Sequence, residues 1–196
     1  MLRCNILLLF AALMTTELYA VTKDKDPSGR THHTPYPYDS DRTVNQTYLE
    51  AINLMRSQPQ TCGNRGQFKA TTALKWSDKL HNASSEHARD MATHNLTHHQ
   101  GSGKSTDVTG KRNRHASKAS ERGQFHGYTY KKAFAYAENV GAGQKNLNEV
   151  VKAWMKSPGH CANIMNPCYR EMALAKNVNS ASAYKTYWTL NFGYRR

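Results

Sequence analysis

The stretch VVKAWMKSPGHCANIMNPCYREM, residues 150–172, passes from one kind of pattern to another. Just ahead of it, Asn146 and Glu149 make a helix-start box. Leu147, Val150, Val151 and Trp154 then recur at steps of three and four, one face of a helix. Pro158 and Gly159 read as the stop of that helix, which leaves His160 and Cys161 side by side after the break. Beyond Pro167 the period changes to two. EMALAKNV (171–178) and YKTYWTLNFGY (184–194) read as strands, with Trp188, Leu190 and Phe192 on one face of the second.

Working back towards the start, Thr43, Val44, Asn45 and Gln46 fit a capping box. Val44, Tyr48, Ala51, Ile52 and Met55 form a stripe that ends at Pro59. Ser77 is a suitable N-cap for a helix over 78–95, whose buried side takes Leu80, Ala83, His87, Ala88 and Met91. His87 on that stripe reads as a satisfied core histidine. KKAFAYAENVGAG (131–143) reads as a short strand broken by glycines. Over 101–120 apolar residues give way to Gly, Ser, Thr and the cations Lys104, Lys111, Arg112, Arg114 and Lys118. This predicts a long, exposed, mobile loop that attaches to anionic surfaces. Helices and strands mix without regular βαβ alternation and without internal repeats. The class is therefore α+β with a mainly antiparallel sheet.

The 196 residues suit one domain with additions. Residues 1–20 read as a secretory signal: Arg3, an apolar run over 6–13 too short to span a bilayer, and a small residue at Ala20. Residues 21–41 are polar and contain proline, which predicts a disordered leader, with the domain over 42–196. Removing 1–20 takes away Arg3 and Glu17 and leaves the net charge at +13. A secreted chain this basic is drawn to anionic envelope or lipid surfaces. No nucleic-acid-binding motif accompanies the charge. Without Cys4 three cysteines remain, Cys62, Cys161 and Cys168. None makes a CxxC, which argues against a zinc–thiolate site.

The residues suited to chemistry are the cluster His94, His98 and His99, then Glu121, Glu138 and His160. Imidazole with carboxylate suits a divalent metal or proton transfer. His94 and His98, four apart or one helical turn, could chelate a metal by themselves; solvated surface histidines are the plainer reading. There is no HExxH and no GxSxG. Cys161 beside His160 reads as a disulfide partner rather than a nucleophile, because adjacent side chains rarely meet productively.

Taken together, LKWSDKLHNASSEHARDMATHNLTHHQGS, ERGQFHGYTY, AENVGAG, VVKAWMKSPGHCANIMNPCYREM and YWTLNFG resemble the CAP superfamily in its smaller bacterial form, over about 43–193. That family comprises cysteine-rich secretory, antigen 5 and pathogenesis-related proteins. The resemblance implies an α-β-α sandwich with an open cleft. By motif it implies a cleft tetrad of His99 (with His98 as fallback), Glu121 (with Asp107 as replacement), Glu138 and His160. His99 and His160 would hold a divalent metal, zinc by preference. It also implies that Cys62 pairs with Cys161 and that Cys168 stays reduced. Ala137 and Ala173 stand where relatives often carry glycine. Three functions are compatible with the resemblance: a binding or effector module whose cleft takes a metal and an anionic or small lipidic ligand, a metal-dependent hydrolase using the same cleft, or a structural envelope protein whose cleft is vestigial.

Overall fold

The computed structural model describes residues 23–25, 31–33, 44–129 and 134–195. The predicted signal segment and Thr43 of the first capping box lie outside the described residues. The chain divides into two units, 1–43 and 44–196. In the first, β1 (Lys23–Lys25) pairs antiparallel with β2 (Thr31–His33); the rest of the predicted leader is not among the described residues.

The second unit opens with α1 (Val44–Arg56), the small hairpin β3 (Gln60–Thr61) and β4 (Gln67–Phe68), β5 (Lys75–Trp76) and α2 (Asp78–His94). Two short helices follow, α3 (Val108–Asn113) and α4 (Ala119–Phe125). Then come β6 (Phe134–Ala142), α5 (Leu147–Lys156), α6 (Pro158–Met165), β7 (Glu171–Val178) and β8 (Thr186–Arg195). The main sheet runs β5-β7-β8-β6, parallel only between β5 and β7. The α+β class is therefore observed.

Alternation along β7 and β8 makes the layers. Met172, Leu174, Trp188, Leu190 and Phe192 join Ile52, Val150, Trp154 and Ile164 in one core under α1, α5 and α6. On the other side Ala173 packs with Leu80 and Tyr128, and Tyr187 with Met91 of α2. The result is the sandwich. The Ala173 methyl is fully buried without displacing α2, whose Ser84 donates to the Ala173 carbonyl at 3.2 Å.

Several expectations change. Val44 is 63% exposed, because it is the first residue of α1 and overhangs the core edge. Pro158 and Gly159 do not end helical structure. Ser157 closes α5 and caps α6, and Pro158 takes the first position of α6, where its missing N–H costs nothing. The glycines do not break β6 either. Gly141 lies against Val150, where a Cβ would come within 2.9 Å of that side chain.

The predicted 101–120 loop is folded. Buried Asp107 accepts from the backbone N–H of Gly103, Gly110 and Ser117 at 2.8–3.0 Å. Asp90 accepts from Ser102 and Thr106, and Glu86 from Thr109. Three carboxylates thus do what an apolar stripe does elsewhere, and the segment is neither a long loop nor loosely held.

Arg56 closes the other layer. Buried at the end of α1, it donates to the carbonyls of Thr72, Ile164 and Asn166, and so answers the unpaired C-terminal carbonyls of α6. Burial, with Arg170 nearby, lowers its pKa to about 10, which leaves it cationic at neutral pH.

Cys62 is bonded to Cys161 as expected, across a separation of 99 residues. Cys168 is also disulfide-bonded, which corrects the expectation that it stays reduced. No helix among the described residues is long and apolar enough to cross a membrane. Closing a loop as long as that between Cys62 and Cys161 stabilises by about 4–5 kcal/mol in the chain-entropy model. Urea unfolding of Cys62→Ser/Cys161→Ser is expected to show a loss of about 2–5 kcal/mol. An unchanged midpoint would show that the link contributes nothing.

Candidate functional site

The site forms where α2 ends and β6 passes under α4. Asn95, just past α2, takes the left-handed conformation (φ 57°) and returns its N–H to the Met91 carbonyl. The chain then doubles back. His87 of α2 bonds through Nε2 to the His98 carbonyl at 2.9 Å, and His99 is delivered over β6. There His99 Nδ1 lies 3.1 Å from Glu138 Oε1. Arg122 of α4 sends one guanidinium nitrogen to both Glu138 oxygens, at 3.1 and 3.0 Å, and to the His99 carbonyl at 2.9 Å. Its other terminal nitrogen holds Ser117. Antiparallel register puts Asn191 of β8 opposite Glu138. In the amide orientation that satisfies both its ends, Asn191 donates to Glu138 Oε2 at 3.1 Å and accepts from Ser84.

These contacts decide protonation. Burial alone would raise the Glu138 pKa; the Arg122 guanidinium and the donors around it prevail and bring it down to about 2. The carboxylate is therefore acceptor-only, so the His99 proton sits on Nδ1 and its Nε2 keeps a free lone pair. His87 must carry its proton on Nε2 to reach a carbonyl, and its buried Nδ1 has no partner among the described residues. Burial pushes its pKa down. The core-histidine reading thus holds for one of its two nitrogens.

His160 sits in the first turn of α6, half-buried. Asn139, next to Glu138 on β6, donates to its carbonyl at 3.1 Å and accepts from Asn163 at 2.9 Å. Burial and then the charge that His99 carries when protonated lower its pKa. The cleft encloses about 580 Å³ and is lined by His99, Glu138, Tyr136, Lys118, Ser120 and Asn163, with Ala135 and Ala137 on its apolar side.

Two predicted members are elsewhere. Glu121 turns back to accept from the Lys118 N–H at 2.8 Å, capping α4, with His115 at 3.7 Å. Asp107 is consumed in the buried turn. The His94–His98 chelate does not form, because α2 stops at His94. That side chain lies 3.8 Å from Asp90, and His98 is exposed beyond the turn. Arg122, Asn139 and Asn191 were not among the predicted site residues. A cation within the ERGQFHGY motif was the available signal for Arg122. Among the described residues, no group of three or more His, Cys, Asp or Glu is placed to hold a metal.

The model of the Cysteine-rich secretory protein family (CAP) matches residues 49–192. The chain belongs to this family. It is 44% identical over 66 residues to the uncharacterized protein YkwD of Bacillus subtilis (strain 168), a match over 34% of this CAP chain and 23% of YkwD. The chain thus spans about a quarter of that relative. Two solved structures share its fold at TM-score 0.54. One is an extracellular protein containing an SCP domain from Bacillus anthracis, 18% identical over 78% of this chain and 40% of that one. The other is an outer surface protein from Borrelia burgdorferi, 19% identical over 81% of this chain and 97% of that one.

Breaking a buried ion pair from one side costs about 3–5 kcal/mol. Arg122→Ala is expected to destabilise the CAP domain by that order in chemical unfolding. Glu138 ionises far more readily folded than its ordinary 4.5, so its contribution is full above pH 4.5 and is lost as pH falls towards 2. Glu138→Gln is expected to flatten the acid limb of the stability profile over that window. An unchanged limb would place the titration elsewhere.

Proposed function

We propose that this chain is an exported CAP-domain binding module whose cleft takes a divalent metal, zinc by preference, together with an anionic, amphipathic ligand. The observation that carries the reading is the His99–Glu138 bond. A carboxylate holding one imidazole nitrogen leaves the other free to ligate, the usual support of a histidine metal ligand. His99 is half exposed, at 54%, and His160 lies near enough for the His99 charge to act on it, so the pair suits an open and exchangeable metal rather than a closed shell. Bound there, a divalent ion would act as a Lewis acid towards an anionic group. Lys118 and Ser120 at the rim favour such a group, and Ala135, Ala137 and the Tyr136 ring offer a short apolar contact for a lipid-like portion.

The hydrolase alternative asks the same cleft for a general base. Glu138 is held by Arg122 at a pKa of about 2, a poor acceptor for a water proton at neutral pH, and Glu121 is occupied as a cap. That favours binding over catalysis. Export is supported by the signal-like pattern of residues 1–20 and by fold neighbours described as extracellular and outer-surface proteins. The net charge of +13 supports attachment to an anionic envelope or lipid surface.

Titration calorimetry with zinc tests the cleft. Wild type is expected to bind with affinity that falls between about pH 7 and pH 5, because the imidazoles must be neutral to ligate. His99→Ala and His160→Ala are each expected to lower affinity at least about tenfold, while His94→Ala leaves it unchanged. Loss in His94→Ala with none in His160→Ala would move the metal away from the cleft.

A further inference from the structure

Between Asp78 and Glu149 the chain carries five carboxylates: Glu86, Asp90, Asp107, Glu121 and Glu138. Four are buried, each committed to internal hydrogen bonds. The fifth, Glu121, caps α4. By contrast Lys104, Lys111, Arg112, Arg114 and Lys118 are all exposed. The fold has drawn four of these five acids inward, while among the described cations of the segment only Arg122 is buried, so the surface over 104–118 is more positive than the composition suggests. The cations are also pre-positioned. Asp107 pins the backbone at Gly103, Gly110 and Ser117, and a Cβ on Gly110 would collide with that carboxylate. Arg114 is held in the left-handed conformation (φ 62°) as the cap of α3, and Arg112 lies over the Phe125 ring. A surface already ordered gives up little conformational entropy on binding.

We propose that this strip, residues 104–118, is a docking surface for a linear, water-soluble polyanion with closely spaced phosphate or carboxylate groups. It sharpens the surface-attachment part of the reading above and rests on it, but not on the cleft metal. A polymer suits the strip better than a bilayer. Elements that lie in a membrane surface need an apolar face, and Val108, 40% exposed, is the only large exposed hydrophobic side chain here among the described residues. Beside the strip, the Phe125 ring offers a base only one face, since Arg112 lies over the other. The strip ends at Lys118 on the rim of the cleft, so a bound polymer would run past the cleft mouth.

The test uses long-chain inorganic polyphosphate, with vesicles of phosphatidylcholine and phosphatidylglycerol as the membrane arm. Three variants are compared. Lys104→Ser/Lys111→Ser/Arg112→Ser/Arg114→Ser removes the strip and spares Lys118. Lys69→Ser/Lys75→Ser/Lys152→Ser/Lys156→Ser removes the same charge from exposed positions elsewhere. Lys111→Gln/Arg112→Gln is the milder version, decisive if the first variant melts early. Wild type is expected to bind polyphosphate and to lose about 100-fold in affinity between about 50 and 200 mM salt. The strip variant is expected to bind more than about tenfold more weakly, with its salt slope reduced by about 3. The milder variant should lose several-fold and the off-strip variant less than about threefold. Equal losses in the strip and off-strip variants, no loss in the strip variants, or strip-dependent binding to vesicles alone would each overturn the proposal. Zinc titration of the same variants separates this outcome from the cleft reading: zinc binding should be untouched.

Discussion

A carboxylate on a buried strand would ordinarily give up its charge, and Glu138 keeps it only because Arg122 meets it there. That guanidinium reaches in one step to the carboxylate on β6, the carbonyl of His99 past α2, and Ser117 before α4. Two of these segments also share the Gly101 N–H to Ser117 carbonyl bond, and one charged group ties all three. The position of His99, the side its proton takes and the wall formed by α4 follow from that contact. Such a pair adds little net stability over an apolar substitute; what it contributes is a fixed geometry for the groups around it.

The same economy recurs in α2, which buries Glu86, Asp90 and His87 on the side facing the 101–126 segment. Glu86 takes Thr109 and, at 2.6 Å, His126; Asp90 takes Ser102 and Thr106. An amphipathic helix normally buries an apolar stripe. Here part of the stripe is acidic, and what it holds is backbone and hydroxyl rather than hydrocarbon. The surface charge over 104–118 is a by-product of this packing, because each carboxylate used inside is one fewer outside.

Long, strongly periodic elements were legible in the sequence. α2 and α5 show their caps and stripes, and β7 and β8 show their alternation, because each is fixed by local pattern and one apolar face. What escaped local reading depends on partners distant in sequence. α3 and α4 are short and weakly apolar, and their stability comes from Glu86, Asp90 and Asp107. Pro158 reads equally as a stop and as the first residue of the next helix, and the choice is made by α6 packing on α5 with Arg56 at its far end. Glu138, His99 and His160 were named through their motifs, and the fold brings the first two into contact. Glu121 was named through the ERGQFHGY motif; in the structure Arg122 points inward from that motif, and Glu121, one step around, caps the helix start.

An ionised Glu138, held by Arg122, fixes the proton of neutral His99 on Nδ1 and leaves Nε2 open to the cleft. Long-range proton–nitrogen correlation of the imidazole side chains, by NMR at neutral pH without metal, reports this directly. His99 is expected to show a protonated Nδ1 and an unprotonated Nε2, with the pattern lost in Glu138→Gln. A protonated Nε2 in the wild-type protein, or the same tautomer in Glu138→Gln, would contradict the account.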